Sequence, residues 1–106
     1  ANSKSVYHIF GLVADFREGW SREQIVDWFR SKGISADKSY TMAIYEQPLY
    51  RSLGYMPEND RERCANAEFI ARNQFTVPVY PTLTEEEVDY IADTLARLPE
   101  LLDCNK

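Results

Sequence analysis

The sequence predicts an α/β (α+β) two-layer sandwich: about three mostly antiparallel strands with helices packed on one face. Three observations carry this. Apolar, β-rich runs stand near 6–14 and 75–80. Three helical segments open on a Ser, Asn or Thr with Gln or Glu three residues later, the spacing of a capping box. The elements follow one another as strand, helix, strand, loop, helix, strand, helix, within a single domain over 1–106.

In order, Ala1 to Ser5 is polar and expected to be loose. Val6 to Ala14 reads as a strand with Val6, His8, Phe10, Leu12 and Ala14 on one face and Tyr7, Ile9, Gly11 and Val13 on the other. Both faces are apolar, so the second wants a cover that helices on one side cannot provide. His8 is the one histidine, with no Cys, Asp or Glu at a supporting spacing, so packing explains it better than catalysis. Gly11 in mid-strand signals a close approach, and Asp15 to Trp20 reads as a turn.

Ser21 caps the next helix with Gln24 in the box relation, Ile25, Val26, Trp28 and Phe29 form its apolar stripe, and Gly33 is placed to end it. Ile34 to Tyr40 reads as a weaker strand. Regular patterning lapses from Thr41 to Met56, where Tyr40, Tyr45, Tyr50 and Tyr55 recur every five residues, a period of neither helix nor strand. Long loops in compact domains tend to carry function.

A helix follows over 59–74, capped by Asn59 and Glu62, with Cys64, Ala67, Ile70, Ala71 and Gln74 as a small-residue stripe. Arg61, Glu62, Arg63, Glu68 and Arg72 read as its solvated face. Phe75 to Tyr80 is a strand in which Pro78 can give no N–H, an edge-strand signature. Thr84 and Glu87 then cap the last helix, with Leu83 and Val88 as the hydrophobic staple and Glu85, Glu86 and Glu87 in the first turn, where the helix dipole favours them. Consecutive helical residues point apart, so these acids do not converge on a metal. Val88, Ile91, Ala92, Leu95 and Leu98 form the buried stripe, Pro99 marks the stop, and the tail from Glu100 is expected to fray.

Composition narrows the function classes. The chain is 44% hydrophobic and 27% charged, as expected of a soluble globular domain. A net charge of −5 without a basic run or face argues against nucleic acid. No apolar run approaches the length of a transmembrane helix. Cys64 and Cys104, without metal-ligand spacing, suggest reduced thiols and a cytoplasmic location. The chain starts with Ala1 and not Met, as expected of a fragment of a longer protein.

The stretch Pro78-Val-Tyr80-Pro81-Thr-Leu83-Thr84-Glu85-Glu86 before an amphipathic helix resembles the C-terminal end of the DegT/DnrJ/StrS family of sugar aminotransferases. Tyr7-His-Ile-Phe10, the helix from Arg22 to Gly33, Gln47-Pro-Leu-Tyr50 and Leu53-Gly-Tyr55 match further family segments in the same order, so the likeness spans about 6–98. It implies the small domain of a pyridoxal-phosphate enzyme of the aspartate-aminotransferase fold, part of a protein that transfers an amino group to a keto sugar in polysaccharide biosynthesis. It also implies a large domain as the missing partner, a dimer, and a substrate border at Tyr40, Tyr45, Gln47 and Tyr50. The chain departs from the family in that border. It runs Tyr40-Thr-Met-Ala-Ile-Tyr45, without the family's prolines and with Tyr45 at its histidine position.

Pyridoxal-phosphate chemistry needs a lysine for the Schiff base and an acid for the pyridine nitrogen. None of Lys4, Lys32, Lys38 and Lys106 stands in anything like the family's Schiff-base loop, which belongs to the large domain. The chain is therefore expected to bind no cofactor and to catalyse nothing alone, with no assigned catalytic or metal residue. The alternative is a stand-alone interaction or regulatory module derived from that domain. The uncovered strand face leads to an expectation of self-association.

Overall fold

The computed structural model describes residues 2–15, 20–59 and 62–99. Most of the turn expected over 15–20, Arg61, the tail from Glu100, Cys104 and Lys106 lie outside them. The described elements are β1 (Phe10–Val13), α1 (Arg22–Ser31), a single 3-10 turn (Ile44–Glu46), α2 (Pro48–Ser52), α3 (Ala65–Asn73), β2 (Gln74–Val77) and α4 (Glu85–Ala96). The chain is thus mixed α/β, with four α-helices and a two-stranded antiparallel sheet among the described residues.

α1 is closed at both ends by its sequence. The Gln24 N–H donates to Ser21 Oγ at 3.3 Å and the Ser21 N–H to Gln24 Oε1 at 2.8 Å, completing the capping box. At the other end Gly33 takes φ +79°, its N–H reaches Arg30 O, and the Ile34 N–H reaches Phe29 O. This is a Schellman motif, which satisfies the last carbonyls through a left-handed residue. It turns the chain so that Ile34 packs back into the core. Ile25, Val26 and Phe29 are essentially inaccessible to solvent and meet Phe75, Val77, Ile34, Ala36 and Leu98. The Phe29 and Phe75 rings lie 5.8 Å apart.

β1 and β2 pair with Phe10 opposite Val77 and Leu12 opposite Phe75. Those four residues share one face, where Leu12, Phe75 and Val77 pack into the core with α1 while Phe10 stays 40% exposed; Gly11 and Val13 share the other. The strand expected over 6–14 is cut to four residues for two reasons. Tyr7 turns left-handed at φ +48°, and β2 is itself short, bounded by α3 before it and by Pro78 after it. Val13 is half-exposed and Ile9 39% exposed, so the apolar second face has no cover among the described residues. A Cβ on Gly11 would stand 2.5 Å from the Gln74 amide nitrogen, which is the close approach the glycine signalled.

The third strand expected over 34–40 is reduced to one antiparallel bridge between Asp37 and Thr76. Other partners take its backbone groups: the Ala36 N–H bonds Ile34 O, Arg30 Nε bonds Ala36 O, and the Lys38 N–H bonds Asp37 Oδ1. With β1 on one side and this bridge on the other, β2 is flanked on both sides at Thr76; Pro78 falls just beyond the ladder, not within an edge strand.

α3 starts at Ala65, six residues later than the Asn59 and Glu62 pairing suggested. That pair does meet, through Asn59 Nδ2 and Glu62 Oε1 at 3.0 Å, but in a turn ahead of the helix. α4 begins as expected, with Thr84 and Glu87 bonding each other's backbone N–H. Its stripe is only partly buried. Leu98 is in the core and Ile91 and Leu95 pack against it, while Val88 stays 48% exposed. Tyr90 Oη donates to Lys32 O at 2.9 Å and ties α4 to the end of α1. No described helix is long and apolar enough to cross a membrane.

Candidate functional site

The segment from Thr41 to Tyr55 is more regular than its pattern suggested. Pro48 sits at the first position of α2, where the missing N–H costs nothing. Gly54 closes the same helix at φ +78°, with the Gly54 N–H on Arg51 O and the Tyr55 N–H on Tyr50 O. This second Schellman cap brings the Tyr50 and Tyr55 rings edge to face, 6.1 Å apart. The words Gln-Pro-x-Tyr and Leu-Gly-Tyr are therefore the start and stop signals of one short helix.

That helix and the 3-10 turn before it are tied to α3 by a polar cluster centred on Glu68, which is 6% exposed. Tyr45 Oη donates to Glu68 Oε1 at 2.5 Å and accepts the Cys64 N–H at 3.0 Å, so it supplies part of the cap of α3. Arg63 grips both Glu68 oxygens at 2.8 Å, the two-pronged geometry suited to a carboxylate. Arg72 Nη2 lies 3.3 Å from Glu68 Oε2 and 3.0 Å from Glu46 Oε1. Glu46 is tied further through Oε2, which accepts the Ala43 N–H at 2.8 Å.

The electrostatics follow this geometry. The Arg63 guanidinium, then the Tyr45 hydroxyl, holds the Glu68 carboxyl down at about 2. Donating to that carboxylate pushes the Tyr45 phenol above its ordinary value. Arg63, Glu68 and Arg72 are thus not simply a solvated helix face. Sequence alone offered one hint, the four-residue spacing of Glu68 and Arg72.

The four residues expected to border a substrate are placed separately. Tyr45 is locked into the cluster, and Tyr50 meets Tyr55 edge to face. Gln47 is exposed at the joint between the 3-10 turn and α2, where its carbonyl accepts the Arg51 N–H. Tyr40 is 61% exposed. None of the four lines any of three surface depressions, although their neighbours Thr41, Glu46, Pro48 and Arg51 line one of about 780 Å³. A second depression, about 640 Å³, lies between Gly33 and the start of α4. A third, apolar and about 390 Å³, runs between Phe10, Val77 and the Val88–Leu95 side of α4.

No described lysine lines any of the three. Lys38 Nζ is engaged by Glu23 at 3.2 Å, and Lys32 caps α1. These residues do not fit an aldehyde cofactor that needs a desolvated amine. Among the described residues no group of three or more His, Cys, Asp and Glu side chains could hold a metal ion.

Comparison with known proteins gives a consistent picture. The sequence profile of the DegT/DnrJ/EryC1/StrS aminotransferase family matches residues 1–96. A protein of Geobacillus stearothermophilus named pleiotropic regulatory protein is 27% identical over 91 residues, covering 86% of this chain and 22% of that protein. The dTDP-4-dehydro-2,6-dideoxy-D-glucose 3-dehydratase of Saccharopolyspora spinosa is 22% identical over 87 residues, covering 82% of this chain and 18% of the enzyme. The chain thus spans about a fifth of the length of these curated relatives.

Proposed function

We propose, from the premise that this chain belongs to the DegT/DnrJ/EryC1/StrS aminotransferase family, that it is the small domain of a sugar aminotransferase-like protein. In the full-length protein the reaction is amino transfer to a keto sugar, using pyridoxal phosphate held by a large domain. The chain alone is not catalytic. The observation that carries this is the family match across residues 1–96, supported by the absence of a lysine from the described depressions. The Saccharopolyspora relative, named for a dehydro sugar, fits the substrate class.

In this reading the large domain is the principal partner, and the uncovered face of β1 is a contact surface toward it or a second copy. The segment holding Tyr40, Tyr45, Gln47 and Tyr50 borders the substrate, with Tyr45 as a strut rather than an acid or base because both roles of its hydroxyl are taken. A third strand and a full two-layer sandwich belong to the assembled protein, as does a cytoplasmic, dimeric state.

A second reading is a stand-alone regulatory or interaction module, favoured by the name of the Geobacillus relative. The test is to mix the purified 106-residue chain with pyridoxal phosphate, record absorbance and assay transamination. No aldimine band and no activity are expected; a lysine-dependent band at full occupancy overturns the assignment. A reading frame that continues upstream of Ala1 through a lysine-bearing large domain supports the first reading, and a start codon near Ala1 supports the second.

A further inference from the structure

We propose that the depression between the 3-10 turn, α2 and α3 binds a phosphoryl group through Arg51, Arg72 and Thr41. This site stands whether or not the chain works inside an aminotransferase. The chain carries a net −5, yet here two guanidiniums from different elements line one hollow of about 780 Å³ whose sole acid is Glu46.

Glu46 is what brings them together. Its carbonyl accepts from Arg51 Nε at 2.9 Å, and its carboxylate accepts from Arg72 Nη2 at 3.0 Å. Both carboxylate oxygens are then committed, Oε2 being bonded to the Ala43 N–H. Glu46 therefore holds the two arginines side by side, Arg51 through its carbonyl and Arg72 through its carboxylate. The terminal nitrogens of Arg51, and Nε and Nη1 of Arg72, find no acceptor among the described residues. The Thr41 hydroxyl likewise has no described partner. Ser52, also on the wall, gives its proton to Leu49 O and offers none to a ligand.

Fork-shaped donors from two elements, with a hydroxyl on a third side, suit a tetrahedral group with several oxygens better than a planar carboxylate. Each guanidinium stays charged at any working pH, so the site does not depend on a titration. Met42 and Pro48 complete the wall with apolar surface, against which the organic part of a phosphate ester can rest.

The experiment is an amide and guanidinium NMR titration of the 106-residue chain with inorganic phosphate, and separately with acetate. Saturable shifts at Thr41, Arg51 and Arg72, with phosphate bound more tightly than acetate, are expected. Arg51→Gln, which breaks no ion pair, should weaken phosphate at least about tenfold, the factor for one lost charge-assisted hydrogen bond. It should leave the shifts of Tyr45, Arg63 and Glu68 unchanged. Non-saturating shifts, equal or tighter acetate binding, or an Arg51→Gln titration like that of the parent chain would each overturn the proposal.

Discussion

At Glu68 a single carboxylate ties the 3-10 turn, through Tyr45, and Arg63 ahead of the helix to α3, and its titration can be followed directly. Its folded value, about 2, lies below the ordinary 4.5. A depressed carboxyl contributes stability that is present above the unfolded value and is lost as pH falls from about 4.5 toward 2. Glu68→Gln should therefore lower the melting temperature at neutral pH, and the gap to the parent chain should narrow as pH is lowered through that window. Thermal unfolding at neutral pH and near pH 3 checks both parts. Tyr45 runs the other way. Its raised phenol contributes below the unfolded value and is lost as pH rises past the folded one. Little of this was legible in the sequence, because a solvated charge run and a buried carboxylate with converging arginines look alike until the 3-10 turn is laid against α3. Gly33 was legible, since its position after a basic last turn indicates the left-handed cap. Gly33→Ala should cost about 1–2 kcal/mol from backbone strain alone, because no side chain stands within reach of the new methyl. Denaturant unfolding measures it.

Elements with a chemical start signal were the readable ones. α1 and α4 begin where Ser21 and Thr84 said they would, because a capping box is a local arrangement that needs no tertiary contact. Thr84→Ala should cost about 1 kcal/mol, and an unchanged unfolding midpoint would mean that the box contributes nothing. Strand lengths were less readable, since a strand extends only as far as its partner. β2 is confined between α3 and Pro78, so the apolar residues before Phe10 find nothing to pair with. Asn59 misled for a related reason: its pairing with Glu62 forms, but the helix waits for Cys64, whose N–H is met by Tyr45 from another segment. The core stripe of α1 was read correctly from spacing. Phe29→Ala, at a fully buried site, should cost about 3–5 kcal/mol, which calorimetry will register.

For the molecule as a whole, the uncovered side of β1 has the broadest consequence. Ile9 and Val13 lie on an apolar run without a charge or a proline to discourage pairing. Self-association is expected as concentration rises, and light scattering that reports a strict monomer at millimolar concentration would count against it. The direct passage from α3 into β2 has a different consequence. Asn73 ends the helix and Gln74 opens the strand, with no residue between them. The helix is anchored by Glu68 and Arg72 to the polar cluster and through Ala71 O to Arg22. The strand is anchored by Phe75 and Val77 to the apolar core. The joint therefore counts in ones and twos. One extra residue at 73/74 would turn Phe75 and Val77 to the solvent side, whereas two would restore their facing with only a displaced register. The odd insertion should abolish cooperative unfolding, and the even one should keep it at a lower midpoint.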